Sequence, residues 1–142
     1  MKLHRLAVPF MMLLMALTAS VALAGDFNYI SPADMKAKME QGEPMLIVDI
    51  QVADEFAQHH LKGAVKTTAY PVKSDEDKAK LQDVLGKAKK DNLPVVIICP
   101  RGKGGAKRAY DYMKENGVDE GRLLILEDGQ QGWPYPELLA KD

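Results

Sequence analysis

The segment LPVVIIC, residues 93–99, is the strongest strand signal in the chain, and glycines and a helical pattern follow it directly. Its four consecutive β-branched residues fit a strand that is buried on both faces. Residues 105–116 then place Ala106, Ala109 and Met113 on one face of a helix. A buried strand that leads into a helix is typical of a parallel sheet, in which each connection crosses over one face.

Apolar runs and helical segments alternate along the rest of the chain. The other predicted strands are residues 44–50, 63–67 and 121–129. The other predicted helices are residues 30–42, 52–60 and 74–92, with a short terminal helix after Pro134. Ser74 and Asp77 form a capping-box pattern at the start of the third helix. This order predicts an α/β fold, a three-layer α/β/α sandwich around a mainly parallel sheet.

The first 24 residues have the pattern of a secretory signal peptide. Lys2 and Arg5 precede a long apolar run that ends in Ala22-Leu23-Ala24, an A-x-A cleavage site. The run approaches membrane-spanning length, but its ending favours cleavage over an anchor. We therefore expect cleavage after Ala24, with residues 25–142 forming a single domain. That domain would be exported, to the periplasm or the extracellular space, without a stable membrane span.

The charge balance argues against nucleic acid as a partner. The chain has 19 basic and 20 acidic residues, a net charge of −1, and loss of the first 24 residues makes it more negative. The composition includes one cysteine, Cys99. An exported protein with an odd cysteine suggests an intermolecular bridge or a thiol kept for chemistry, although a buried cysteine can also serve as a small apolar side chain.

The loop around this cysteine favours chemistry. Cys99 would lie at the carboxyl end of a parallel strand, where ligand sites of open α/β sheets occur. The loop residues that we predict to bind substrate are Arg101, Gly102, Lys103, Gly104 and Gly105. Glycines let backbone N–H groups curl around an anion, and Lys107 and Arg108 add nearby positive charge, so several amides should surround and favour an ionised sulfur. Cys99 is the predicted catalytic nucleophile.

Other site types fit the residues less well. The glycines do not follow the order of a nucleotide-binding P-loop. One cysteine and the neighbouring His59 and His60 do not match zinc spacing, and we expect neither a metal nor a cofactor. Asp49, Glu55 and His60 could form an acid–base set, but strand-end and helix-start residues more often pair locally, and we favour that interpretation.

Three ordered motifs resemble those of the rhodanese family. The first is carried by Asp49, Glu55, Phe56, His60, Leu61, Lys62, Gly63 and Ala64. The second is carried by Cys99, Gly102, Ala109 and Gly117, and the closing motif by Gly129 and Trp133. The resemblance implies a rhodanese-like sandwich and a persulfide on Cys99. It also implies a small anionic sulfur donor such as thiosulfate, and cyanide or a thiol as acceptor.

The chain departs from the family pattern at several positions. Pro100 stands where arginine is common, and Gly104 where arginine or threonine is common. Gln51 stands where another arginine is common, Lys62 replaces a proline, and Asp128 replaces a glycine. These changes leave open the identity of the sulfur donor and whether the protein turns over catalytically. The alternative is a non-enzymatic module that carries sulfur, binds an anion, or docks an exported protein partner. The related phosphatase and arsenate reductase reaction is disfavoured because the sixth position after the cysteine is glycine rather than arginine.

Overall fold

The computed structural model describes residues 26–142, so the predicted signal peptide lies outside the described residues. The strands are β1 (Tyr29–Ile30), β2 (Leu46–Asp49), β3 (His60–Leu61), β4 (Val65–Lys66), β5 (Val95–Ile98), β6 (Leu123–Leu126) and β7 (Leu139–Ala140). The α-helices are α1 (Pro32–Glu40), α2 (Ala53–Gln58), α3 (Asp75–Ala79), α4 (Gln82–Lys90) and α5 (Gly104–Glu115). Within residues 26–142, no helix has the length and apolar character needed to cross a bilayer.

The central sheet has five strands in the order β1-β6-β5-β2-β4. Every neighbouring pair in it is parallel. β5 lies in the middle, with β2 on one side and β6 on the other, and all four of its residues are buried. A separate two-stranded sheet joins β3 and β7 antiparallel. The predicted mainly parallel sheet is confirmed.

Two apolar clusters cover the two faces of this sheet. Because successive side chains of a strand point to opposite faces, Ile97 belongs to one cluster, with residues of α4 and α5. Val96 and Ile98 belong to the other cluster, with Met35 of α1 and Trp133. The predicted α/β/α layering is therefore confirmed, and β5 is its central strand.

The predicted single helix over residues 74–92 is wrong, because the structure divides it into α3 and α4. The Leu81 N–H donates to the Lys78 carbonyl three residues back, at 3.0 Å, which tightens the chain between the two helices. This tightening accompanies complete burial of the Leu81 side chain. The capping box is confirmed, since Ser74 and Asp77 bond each other's backbone N–H groups.

The end of the chain also differs from the prediction. The predicted terminal helix is only a 3-10 turn over Pro136–Leu138, and the next residues form β7. In β7, Leu139 pairs with Leu61 of β3. This pairing supplies the tail with cross-strand partners that a local sequence pattern does not contain.

Candidate functional site

Cys99 directly follows β5, at the carboxyl end of the central strand. Its side chain is 2% exposed, and its Sγ accepts a hydrogen bond from the Gly102 N–H at 3.0 Å. Within residues 26–142, this is the one hydrogen bond to the sulfur, so the expected group of several amides is reduced to a single donor. The predicted position of the thiol, at the carboxyl end of a parallel strand, is confirmed.

Gly102 fits this loop for two physical reasons. Its φ of +69° lies in the left-handed region, which favours glycine. A Cβ at this position would also lie only 2.8 Å from the Leu126 carbonyl oxygen and 3.0 Å from the Asp128 nitrogen. The loop can therefore pack against the turn after β6, and this packing aims the Gly102 N–H at the sulfur.

The turn after β6 holds the cysteine loop through backbone hydrogen bonds. Gln130 N–H donates to the Cys99 carbonyl at 2.8 Å, and Gln131 N–H donates to the Pro100 carbonyl at 2.9 Å. Gly129, at φ +62°, has no room for a side chain, because a Cβ would lie 2.3 Å from the Cys99 oxygen. The glycine of the closing motif therefore supports the cysteine loop, a contact between distant segments that local sequence patterns do not reveal.

A small cavity of about 70 Å³ opens beside the sulfur. It is lined by Tyr70, Cys99, Pro100, Arg101, Lys103, Gly104, Gly105 and Arg108. The structure thus brings four of the five predicted substrate-binding residues to one cavity with Cys99, and the fifth, Gly102, bonds the sulfur. Arg101 and Lys103 are exposed at this cavity, while Arg108 is half-buried.

Arg108 was expected to add positive charge near the cysteine but was not among the predicted binding residues. Its Nε donates to the Pro71 carbonyl at 2.9 Å, which fixes the direction of the side chain. Its guanidinium lies against Gly104, where a Cβ would be 2.9 Å from one terminal nitrogen. The available sequence signal was the helical i, i+4 spacing of Gly104 and Arg108, which places the two residues on one face.

Asp49 and His60 are bonded locally, as we expected. Asp49 is 0% exposed, and its two carboxylate oxygens accept from the Gln51 backbone N–H at 2.9 Å and from Gln51 Nε2 at 3.0 Å. Burial raises the pKa of Asp49 to about 6, although the Gln51 hydrogen bonds oppose the increase. His60 Nδ1 lies 2.8 Å from the Phe56 carbonyl oxygen. Neither residue lines the cysteine cavity, and the third member of the set, Glu55, lines a different one.

That second cavity, of about 420 Å³, borders the turn after β6. Half of its lining residues are glutamines: the full set is Gln51, Glu55, Gln58, His59, Gln130, Gln131, Trp133 and Leu139. Cys99 and the loop cations are not part of it. No group of three or more histidine, cysteine, aspartate or glutamate side chains in the described part of the chain could hold a metal ion.

Solved structures share this fold at low sequence identity. A rhodanese-like domain protein from Staphylococcus aureus is 24% identical with a TM-score of 0.62, covering 82% of this chain and 99% of that one. A yeast protein tyrosine phosphatase of the Rhodanese family is 20% identical, with a TM-score of 0.61 and coverage of 80% and 92%. An As-Sb reductase from Leishmania major is 12% identical, with a TM-score of 0.63 and coverage of 82% and 86%.

These three likenesses establish the fold and leave the reaction open, since the proteins differ in the activities that their names give. No curated protein matches the chain. The family model for the rhodanese-like domain matches residues 31–134 and spans the cysteine loop and the turn that supports it. Because this match covers well over half of the chain, the protein belongs to the rhodanese-like domain family.

Proposed function

We propose that the protein is a sulfurtransferase that moves sulfane sulfur from thiosulfate, or a similar small anionic donor, to a thiophilic acceptor through a persulfide on Cys99. The observation that carries the proposal is the Cys99 sulfur, which accepts the Gly102 N–H and lines a small cavity bordered by three cationic side chains. Positive charge around the thiol attracts an anionic donor.

In the first step the Cys99 thiolate attacks the outer sulfur of thiosulfate. A sulfur–sulfur bond forms to Cys99, the sulfur–sulfur bond of thiosulfate breaks, and its electron pair leaves with sulfite. The enzyme then holds an anionic persulfide. The Gly102 N–H, already directed at the sulfur, and the nearby cations stabilise negative charge that stays in this small space.

In the second step an acceptor removes the outer sulfur. Cyanide attacks the terminal sulfur of the persulfide, forms thiocyanate and returns the Cys99 thiolate, and no external oxidant or reductant is consumed. An acceptor thiolate reacts in the same way and leaves as a persulfide. Export through the predicted signal peptide is also part of this proposal, and it would place the acceptor outside the cytoplasm, as a small thiol or an exported protein.

Thiocyanate formation from thiosulfate and cyanide tests the proposal. We expect repeated turnover by the wild-type protein and background output from Cys99→Ser, which keeps the shape of the side chain but lacks the thiol. If both proteins formed thiocyanate at the same rate, close to background, the protein would not be a catalyst of this reaction. One persulfide per protein without turnover would instead support the sulfur-carrier alternative.

Phosphate-ester hydrolysis is the reaction that this loop disfavours. In a cysteine-dependent phosphatase an arginine would occupy position 105, whereas here Gly105 is buried. A Cβ there would lie 2.9 Å from the Tyr70 ring, so any side chain at this position would have to displace Tyr70. We expect p-nitrophenyl phosphate to be hydrolysed no faster by the wild type than by Cys99→Ser.

A further inference from the structure

We infer that Arg108 binds the oxoanion group of the sulfur donor, that Gly104 leaves the space for its guanidinium, and that the site therefore selects small oxoanions over neutral reagents. The identity of the donor rests on the proposed function, but the anion-binding role of Arg108 can be tested without sulfur transfer. The inference adds a specificity residue that lies beyond the predicted loop, one turn into α5.

The position of Arg108 is built into the fold. Its Nε is tied to the Pro71 carbonyl at 2.9 Å, so the side chain crosses from α5 toward the segment at Tyr70 and Pro71, which flanks the cavity. The guanidinium can rest on the first turn of α5 only because position 104 is glycine. The half-buried and anchored arginine therefore loses little side-chain freedom on binding, unlike a lysine in solvent.

The two terminal nitrogens of Arg108 remain available for a ligand. Within residues 26–142, the side chain forms one hydrogen bond, from Nε, and no ion pair. Asp111 and Glu115 border a neighbouring cavity that Arg108 also lines, but neither forms an ion pair with it. A guanidinium presents parallel N–H donors that match the oxygens of a carboxylate, sulfonate or similar group.

The size of the cavity limits the ligand. At about 70 Å³ it is much smaller than the cavities of about 420 and 270 Å³ elsewhere on the protein. A small oxoanion fits this space, with its oxygens on Arg108 and its reactive end toward Cys99. Arg101 and Lys103 lie at the same cavity but are exposed, so water and salt screen them more strongly.

Alkylation of Cys99 by iodoacetate and by iodoacetamide isolates the anion effect. The two reagents share the reactive carbon and the iodide leaving group and differ in one carboxylate. We expect Arg108→Gln to lower the iodoacetate-to-iodoacetamide rate ratio about tenfold, as expected for loss of a charge-assisted contact. The ratio should change less than about twofold in Lys107→Gln, which removes the same charge from the adjacent position.

Lys107 is a suitable control because it is exposed and does not line the cavity, and its Nζ lies 5.5 Å from the centroid of the Phe27 ring. Equal ratios for the two variants would overturn the inference in favour of general surface charge. An unchanged ratio in Arg108→Gln would overturn it outright.

A second variant keeps the charge and moves it. Gly104→Ala places a methyl group against the guanidinium, and alanine is a better helix former than glycine, so the fold should tolerate the change. We expect Gly104→Ala to lower the rate ratio in the wild-type background and to have no further effect in Arg108→Gln. Additive effects of the two substitutions would contradict the shared mechanism.

Persulfide formation with thiosulfate separates this inference from the proposed function. If both variants lower the alkylation ratio but no persulfide forms in any protein, the anion site stands and the sulfurtransferase proposal fails. If persulfide forms equally fast in wild type and Arg108→Gln, sulfur transfer stands and the inference fails. We expect persulfide formation that is about tenfold slower in Arg108→Gln at limiting thiosulfate.

Discussion

Two neighbouring strands of the sheet end in very different segments. β2 and β5 are parallel, with Asp49 in register with Ile98, so Asp49 and Cys99 lie at the same edge. At the end of β2, the Asp49 carboxylate accepts hydrogen bonds from the backbone and side-chain N–H groups of Gln51. After β5, the sulfur receives one N–H and borders a cavity with cations. Position at the carboxyl ends of the strands is thus not enough to place a side chain at a cavity with cations.

The difference comes from the residues directly after each strand. Gln51 is two residues after Asp49 and donates a hydrogen bond to each of its carboxylate oxygens. The carboxylate is buried, and both of its oxygens already have a partner. The residues after Cys99 include Gly102, whose left-handed backbone turns the loop onto the segment after β6. The turn after β6 therefore supports the loop on one side. On the other side, the cavity next to the sulfur has space for a small reactant.

The largest expected effect comes from removing that distant support. Gly129→Ala would place a methyl group 2.3 Å from the Cys99 carbonyl oxygen and 2.6 Å from the Arg101 and Gly102 nitrogens, at a φ of +62°. We expect a loss of about 3 kcal/mol or more in the free energy of unfolding, because both the backbone strain and the clash must be relieved. Urea denaturation measures it.

The matched control for this change is Gly63→Ala. Gly63 also has a positive φ, +82°, but a Cβ there would meet no atom within 4 Å. Gly63→Ala should lower the free energy of unfolding by about 1–2 kcal/mol, the strain of the left-handed backbone alone. Equal losses for the two variants would show that contact with the cysteine loop contributes nothing.

A smaller effect, dependent on pH, is expected at the β2 segment. The folded pKa of Asp49, about 6, lies above its ordinary value of 3.8, so the folded state binds this proton more tightly than the unfolded state. The resulting stabilisation is complete below about pH 4 and is lost as the pH rises through the folded pKa, a change of about 2–3 kcal/mol.

Asp49→Asn should remove this part of the pH dependence, because asparagine does not titrate. The measurement is the difference in unfolding free energy between wild type and variant from pH 4 to pH 7. We expect the wild type to lose stability relative to Asp49→Asn as the pH rises. A constant difference across this range would contradict the assigned burial of an ionising carboxyl group.

The smallest effect is expected at Asp128, which adopts a φ of +60° in the turn that holds the cysteine loop. Glycine relieves the left-handed strain but increases the freedom of the unfolded chain. Asp128→Gly should therefore raise the free energy of unfolding by a few tenths of a kcal/mol to about 1 kcal/mol, measured by thermal or urea denaturation. A decrease would show that the aspartate side chain stabilises this turn.

Strong local patterns made much of the fold predictable. β2, β5 and β6 are continuous apolar runs, and α5 has a clear apolar face, so their order was enough to predict the parallel sheet and the position of Cys99. β1, β3 and β7 have two residues each, too few for any periodicity, and they form through partners elsewhere in the chain. β4 is equally short, but the predicted strand over residues 63–67 contains it.

The candidate site shows the same limit. The loop residues at positions 101–105 were predictable because glycines and cations follow the cysteine directly. The support from Gly129 and the approach of Arg108 to the cavity depend on contacts between separate elements. The number of amides at the sulfur also depended on exact backbone angles, and one was found where several were expected.

Transfer of a second sulfur atom to Cys99 can be measured by the mass of the peptide containing Cys99 after incubation with thiosulfate. We expect a gain of one sulfur atom on this peptide, reversed by cyanide with release of thiocyanate. An unchanged peptide mass in a folded protein whose Cys99 still reacts with iodoacetamide would contradict it.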